Sequence, residues 1–280
     1  MKKKFNHKLI KRILIISFII IILSYFVICN LIKKKSIEGF ESQTNPLSNL
    51  INKFYVINLS ETSEGRRRLK VIKQHNILSK YIERFAGIYG KTHNYNNEIN
   101  RGIIQKSWDF GKWHGDNSKM IEMTDGEIGV SLSHYYLWKK IVDEKIPITM
   151  ILEDDGIDLH PHFEELVIEN MKYLPEDWDV FLLGYWLNKG LIGKKINDKI
   201  YKVDDFVLAH CYLITYEGAK KYLNSLPINL PVDSWMSDKS DYVNIYRHNL
   251  AKNKNFRPES LLIRQKRDAK QIVNTNNYNK

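Results

Sequence analysis

The chain has 280 residues, of which 43% are hydrophobic and 27% charged; this excludes a wholly disordered chain and leaves room for one large domain or two small ones. The net charge of +11 sits at the ends: residues 1–35 hold nine Lys/Arg and no Asp/Glu, the last thirty hold eight basic against two acidic, and 36–250 holds 26 basic against 30 acidic. A mildly acidic body argues against a nucleic-acid partner, and two cysteines, Cys29 and Cys211, exclude a disulfide framework and a Cys-rich zinc site.

Residues 1–12 form a basic tail. The apolar run 13–32, broken only by Ser17, Ser24 and Asn30, is long enough to span a bilayer as a helix. Six Lys/Arg precede it and Lys33, Lys34 and Lys35 follow. That asymmetry predicts a cytosolic N-terminus and a single-pass type II membrane protein, its body lumenal (ER/Golgi-like) or external. A cleaved signal peptide is the rival; the run is long for one, and no small-x-small cleavage site precedes Asn30. Residues 33–52 are polar, contain Pro46 and read as a stem. The expected globular domain is 53–265, followed by a flexible tail, 266–280.

Within the body, Phe54-Tyr55-Val56-Ile57-Asn58-Leu59 reads as a strand. A basic helix follows from Thr62 or Ser63 to about His75, then a strand over 81–88. Residues 89–120 are rich in Asn, Gly and Lys and read as a long loop region. Thr124-x-x-Glu127 is a capping box opening a helix to about Glu144. Ile148 to Leu152 is a short apolar run expected of a buried parallel strand. A helix over 162–174, strands over 180–185 and 207–215, and a helix over 217–225 complete an α/β pattern with a mainly parallel central sheet.

The most informative stretch is Leu152-Glu153-Asp154-Asp155. Three carboxylates sit where a buried strand ends, the edge at which open α/β sheets bind ligands. Clustered like charges are costly unless a cation holds them. Glu153 and Asp155, two apart on a strand, face one side and suit Mg²⁺ or Mn²⁺ with substrate phosphates completing the shell. A solvated acidic turn is the alternative.

Four blocks together resemble glycosyltransferase family 25, the group that includes lipooligosaccharide and collagen hydroxylysine galactosyltransferases. They are Phe54–Leu59 with Arg66 and Arg68 behind it, Gly126-Glu127-Ile128-Gly129-Val130-Ser131-Leu132-Ser133-His134, Ile151-Leu152-Glu153-Asp154-Asp155, and Ala209-His210-Cys211-Tyr212-Leu213-Ile214 leading to Pro231-Val232-Asp233. The family often has Cys where this chain has Val130. The resemblance implies a GT-A-like fold, a UDP-sugar donor and a divalent metal, usually Mn²⁺, with the Glu-Asp-Asp block as the metal-binding motif.

On that footing Glu153 and Asp155 are expected metal ligands and Asp154 a donor-sugar or ribose contact. His210 is either a third metal ligand or an ordinary strand histidine. Asn58 is either a nucleotide contact or a strand-end turn former, and it opens the sequon Asn58-Leu59-Ser60. Arg66 and Arg68 either pair with the diphosphate or lie on a solvated helix face. His134 either contacts the donor or is a satisfied buried histidine. Asp233 is either the base that takes the acceptor hydroxyl's proton or a helix N-cap. Trp178, Trp186 and Trp235 either stack on sugar or belong to the core. The expected activity is membrane-anchored, metal-dependent and inverting transfer of a hexose, galactose or glucose, from a UDP-sugar to an acceptor hydroxyl on a glycan or hydroxylysine-containing protein. The alternatives are a silent membrane-anchored sugar- or protein-binding module and a metal-dependent phosphotransferase or nuclease.

Overall fold

A computed structural model describes residues 46–75, 77–109, 120–187, 193–254, 257–260 and 262–265. The chain divides into a unit before Pro46 and one from Pro46 onward, and every described residue lies in the second. The expected basic tail, membrane anchor and 266–280 tail lie outside the described residues, as does the stem up to residue 45. Among the described residues no helix is long and apolar enough to cross a membrane. The compact unit begins within the stretch expected as stem, because Leu47 and Ile51 are buried in the core.

The first half of the unit supplies β1 (Lys53–Asn58), α1 (Ser63–His75), β2 (Glu83–Ala86), α2 (Asn96–Asn100), β3 (Ser107–Asp109), β4 (Met120–Glu122), α3 (Asp125–Asp143) and β5 (Ile148–Glu153). The capping box opens α3 as its sequence predicts: the Thr124 side chain accepts from the Glu127 N–H, and the Glu127 carboxylate accepts from the Thr124 N–H. Residues 89–120, expected as loop, contain α2 and β3, and β4, which begins at residue 120, pairs antiparallel with β3. The second half supplies β6 (Gly156–Leu159), α4 (Phe163–Met171), β7 (Val180–Leu187), β8 (Lys194–Lys195), β9 (Ile200–Lys202), β10 (Phe206–Thr215), α5 (Tyr216–Leu223), α6 (Val232–Asp238), β11 (Ile245–His248), β12 (Ala251–Lys254), β13 (Arg257–Ser260) and β14 (Ile263–Gln265).

The main sheet runs in the order β2-β1-β5-β10-β7-β11-β9-β8, with β12 and β13 branching from β7. It is mixed, which corrects the expectation of a mainly parallel sheet. β1 is parallel to β2 and β5, and β7 to β11, but β10 runs antiparallel to both β5 and β7. A strand buried on both faces is apolar throughout whichever way its neighbours run, so the pattern of β10 carried no direction. Side chains alternate across the sheet. Tyr55, Ile57, Ile151, Tyr212 and Ile214 meet Ile128, Leu132, Trp138 and Trp235 from α3 and α6 on one face. Phe54, Val56, Met150, Leu152, Cys211 and Leu213 meet Ile72 of α1 and Phe163 and Val167 of α4 on the other. Within this α/β sandwich β1 and β5 end together, Ile57 lying opposite Glu153.

Candidate active site

The end of β1 is tied down before it can offer anything to a ligand. Asn58 is 1% exposed. Its amide donates to the Gly65 carbonyl at 2.8 Å and to Asp154 Oδ2 at 2.7 Å, and its Oδ1 accepts from Arg84 Nε at 3.2 Å. The first turn of α1 packs so closely on the strand end that a Cβ at Gly65 would stand 1.9 Å from the Leu59 carbonyl oxygen. Asn58 is therefore a clamp, and its sequon has no free amide. Arg68 donates to Asp154 Oδ1 at 2.8 Å and to Glu64 at 3.0 Å, and lies 4.0 Å from Asp155. Burial lowers the guanidinium pKa, but Asp154 and Asp155 outweigh it and the net shift is upward, so Arg68 is a permanent cation. Arg66 faces elsewhere, donating to the carbonyls of Ser60 and Glu61 in the preceding turn.

Glu153 ends β5. Its Oε1 lies 3.2 Å from His134 Nε2, and His134 Nδ1 lies 2.8 Å from the Tyr212 hydroxyl. Burial pushes the Glu153 carboxyl up to about 8, helped by the charges of Asp233 and Asp154 and opposed by Arg68. Burial also pushes His134 down to about 4, against the pull of Asp233. Two recesses of about 380 and 460 Å³ meet here and share Gly126, Val130, His134, Glu153 and Asp155 in their walls. The first runs under Asn58, Gly65, Arg68 and the segment Ile88–Lys91. The second is walled by Leu208, Ala209, Pro231, Val232, Asp233 and Met236.

Asp233 sits in the first turn of α6, whose N-cap is Pro231. Its Oδ2 accepts from the Leu208 N–H and its Oδ1 from the Ser234 N–H, both at 2.8 Å. Leu208 has φ +58, a left-handed conformation costly for a branched side chain, and the β10/β7 register slips beside it. Asp233 thus pins an irregularity of β10 at the rim of the second recess. His210 belongs to this irregularity and not to a metal site: its ring nitrogens lie 2.7 Å from the Leu208 carbonyl oxygen and 3.2 Å from that of Ile263. Backbone carbonyls thus flank both ring nitrogens. Among the described residues no three His, Cys, Asp or Glu side chains gather as a metal cage. Trp235 is fully buried and donates to the Pro227 carbonyl, and none of Trp178, Trp186 and Trp235 is among the described residues lining the two recesses.

The Gly126–His134 block is explained by packing. The backbone of α3 approaches the 88–90 segment so closely that a Cβ at Gly129 would lie 2.6 Å from the Ile88 carbonyl oxygen. Ser133 then accepts from the Ile88 N–H and donates to the Gly129 carbonyl. These contacts place Tyr89, Gly90 and Lys91 along the first recess. Arg84, Tyr212 and Leu208 were missed by sequence reasoning. Arg84 and Leu208 carried no local signal, whereas Tyr212 stood within a quoted block as one more strand aromatic.

Residues 51–236 match the family model described as glycosyltransferase family 25 (LPS biosynthesis protein). Over 206 residues the chain is 29% identical to procollagen galactosyltransferase 1-B of Xenopus laevis, covering 67% of this chain and 32% of that protein. It is 31% identical over 193 residues to a glycosyltransferase 25 family member of Anopheles gambiae, covering 66% and 31%. It is 27% identical over 183 residues to a procollagen lysyl hydroxylase and glycosyltransferase of Acanthamoeba polyphaga mimivirus, covering 63% and 20%. The matched stretch thus spans about a third or less of these relatives.

Proposed function

Since the chain belongs to glycosyltransferase family 25, we propose that it transfers a hexose, galactose before glucose, from a UDP-sugar to an acceptor hydroxyl, with inversion and on a GT-A-like scaffold. One observation carries this reading: Glu153 and Asp155 stand where the two recesses join and line both. A donor in the first recess and an acceptor in the second would meet at that pair.

The pair suits a hard divalent cation, Mn²⁺ or Mg²⁺. Both ligands are oxygen donors, and the burial and the nearby Asp233 and Asp154 charges that raise the Glu153 pKa are a cost that a cation relieves. Glu153 and Asp155 would hold it, two carboxylates with substrate phosphates filling the shell; when bound, it neutralises the diphosphate as a leaving group. Arg68, held by Asp154 and lining the first recess, adds fixed positive charge beside the same diphosphate. Asp233 lines the second recess, and each of its oxygens, accepting one N–H, keeps a lone pair for an acceptor hydroxyl. Besides the two proposed cation ligands, the second recess is lined by Glu127 and Asp233 and, among its described lining residues, by no Lys or Arg. That charge favours an acceptor carrying an ammonium group near its hydroxyl, as hydroxylysine does, over an anionic glycan. The apolar run 13–32 would anchor the chain with this domain lumenal or external.

The test uses the full chain in detergent with a panel of UDP-sugars, Mn²⁺ or EDTA, and UDP release as the readout. Release from one donor, lost with EDTA and reduced to background in Asp155→Ala, is expected. Donor turnover indifferent to both EDTA and Asp155→Ala would overturn the metal-dependent reading.

A further inference from the structure

A chain of buried polar groups leads into Glu153 from the core. Trp138 on α3 donates its indole N–H to the Tyr212 hydroxyl at 3.0 Å. That hydroxyl lies 2.8 Å from His134 Nδ1, and His134 Nε2 lies 3.2 Å from Glu153 Oε1. Trp138 and Tyr212 are fully buried and His134 is 1% exposed. Their rings are fixed as well. Tyr212 stacks on His134 at 5.8 Å, and Trp138 packs against Tyr222 at 4.8 Å and Trp235 at 5.8 Å.

The direction of the chain follows from its far end. Indole N–H can only donate, so the Tyr212 oxygen accepts there. The single Tyr212 proton then has His134 Nδ1 as its acceptor. If His134 donated from Nδ1 instead, that proton would be buried without a partner, at the cost of a lost hydrogen bond. With Nδ1 accepting, the ring proton is on Nε2 and points at the carboxylate. Hydrogen-bond polarity thus runs from Trp138 through Tyr212 and His134 to Glu153.

We infer that Trp138, Tyr212 and His134 are positioning residues that fix the Glu153 carboxylate for the cation it shares with Asp155. His134 then acts through Glu153 and not on the donor sugar, which revises the role its place in the sequence blocks implied. The inference rests on the proposed role of Glu153 and Asp155 as cation ligands. Partners that orient a ligand are commonly worth 10- to 100-fold in metal affinity.

The experiment measures Mn²⁺ binding to the full chain in detergent without any sugar donor, by titration calorimetry, with circular dichroism and thermal unfolding on each variant. The native protein is expected to bind and Asp155→Ala to fail. Tyr212→Phe keeps the ring and removes the hydroxyl, and should weaken Mn²⁺ about tenfold while remaining folded. In turnover assays it should need more Mn²⁺ for half-maximal rate, with kcat largely regained at saturating metal. His134→Gln keeps an N–H donor and His134→Leu does not, so Gln should lie closer to native affinity; this pair decides the matter if Tyr212→Phe does not fold. A folded Tyr212→Phe with native affinity, or Gln and Leu weakened equally, would overturn the positioning role while leaving the metal reading intact. No Mn²⁺ binding by the native protein would overturn the metal reading, and this inference with it.

Discussion

Asp154 shows how a residue can sit in a functional cluster and serve the fold. Its two oxygens are divided between Asn58 and Arg68, and it joins the ends of β1 and β5 to the first turns of α1. Asp154→Ala should cost about 1–3 kcal/mol, because it strands the Asn58 amide and the Arg68 guanidinium without their acceptor. Asp154→Asn should recover little, since its amide can accept from only one of the two donors. Urea unfolding of both variants measures this, and native stability in Asp154→Ala would show that the cluster does not brace the strand ends. At this scale the sequence revealed which residues gather but not how they divide the work. Asn58, Arg68, Asp154 and Glu153 all stood out as charged or amide groups near strand ends. That Asn58 and Asp154 would be spent on each other depends on contacts between residues 96 apart in the chain, which no local pattern encodes. Arg66 and Arg68 read alike as two cations on one helix, yet helical geometry turns only Arg68 toward the carboxylates.

Helix α3 carries two glycines whose roles differ sharply. A Cβ at Gly126 meets only the Thr124 hydroxyl at 3.9 Å, whereas one at Gly129 strikes the Ile88 carbonyl at 2.6 Å and the Gly90 nitrogen at 2.7 Å. Gly126→Ala should stabilise the fold by up to about 0.5–1 kcal/mol through helix propensity. Gly126 lines both recesses, so the added methyl should also raise the KM for substrate. Gly129→Ala should destabilise by about 1–3 kcal/mol, because two backbones must part. Thermal unfolding separates the two, and equal shifts would remove the argument for a close backbone approach. The start of α3 was legible because a capping box is a local device with a fixed spacing. The 88–90 segment it clasps was not, because only the packed structure shows what an invisible Cβ would hit. The same limit applied to β10: its apolar run announced a strand, while its antiparallel direction, its irregularity at Leu208 and the bond from Leu208 to Asp233 are tertiary facts.

Among the described residues three buried histidines, His134, His210 and His248, have pKa values lowered by burial while the Glu153 carboxyl is raised, and the two kinds of titration oppose one another. Burial holds His134 at about 4 and His248 at about 3, the latter despite a Leu183 carbonyl that favours its charged form, while Glu153 is raised to about 8. An unfolded histidine takes its proton near 6.5, before either folded one does, so both contributions are complete above that pH and are lost as pH falls toward 4 and 3. Glu153 has the opposite sign. The unfolded carboxyl releases its proton near 4.5, the folded one not until about 8, so acidification over that window favours the folded metal-free state. Between pH 6.5 and 4.5 the Glu153 gain and the His134 loss nearly cancel, which leaves His210 and His248, both lowered by burial, to set the slope. His248 is on β11 and lines neither recess; its Nε2 meets the Leu183 carbonyl oxygen and the Ser260 hydroxyl. The metal-free protein should therefore lose unfolding free energy as pH falls over those two units, about 3 kcal/mol of it from His248. His248→Gln, which cannot titrate, should have a shallower slope across the same window, keeping the part His210 supplies, although it should be less stable at pH 7 for its altered packing. Urea unfolding in EDTA from pH 7 to 4.5 reads both slopes. A native slope that persists unchanged in His248→Gln would show that His248 does not carry the acid sensitivity.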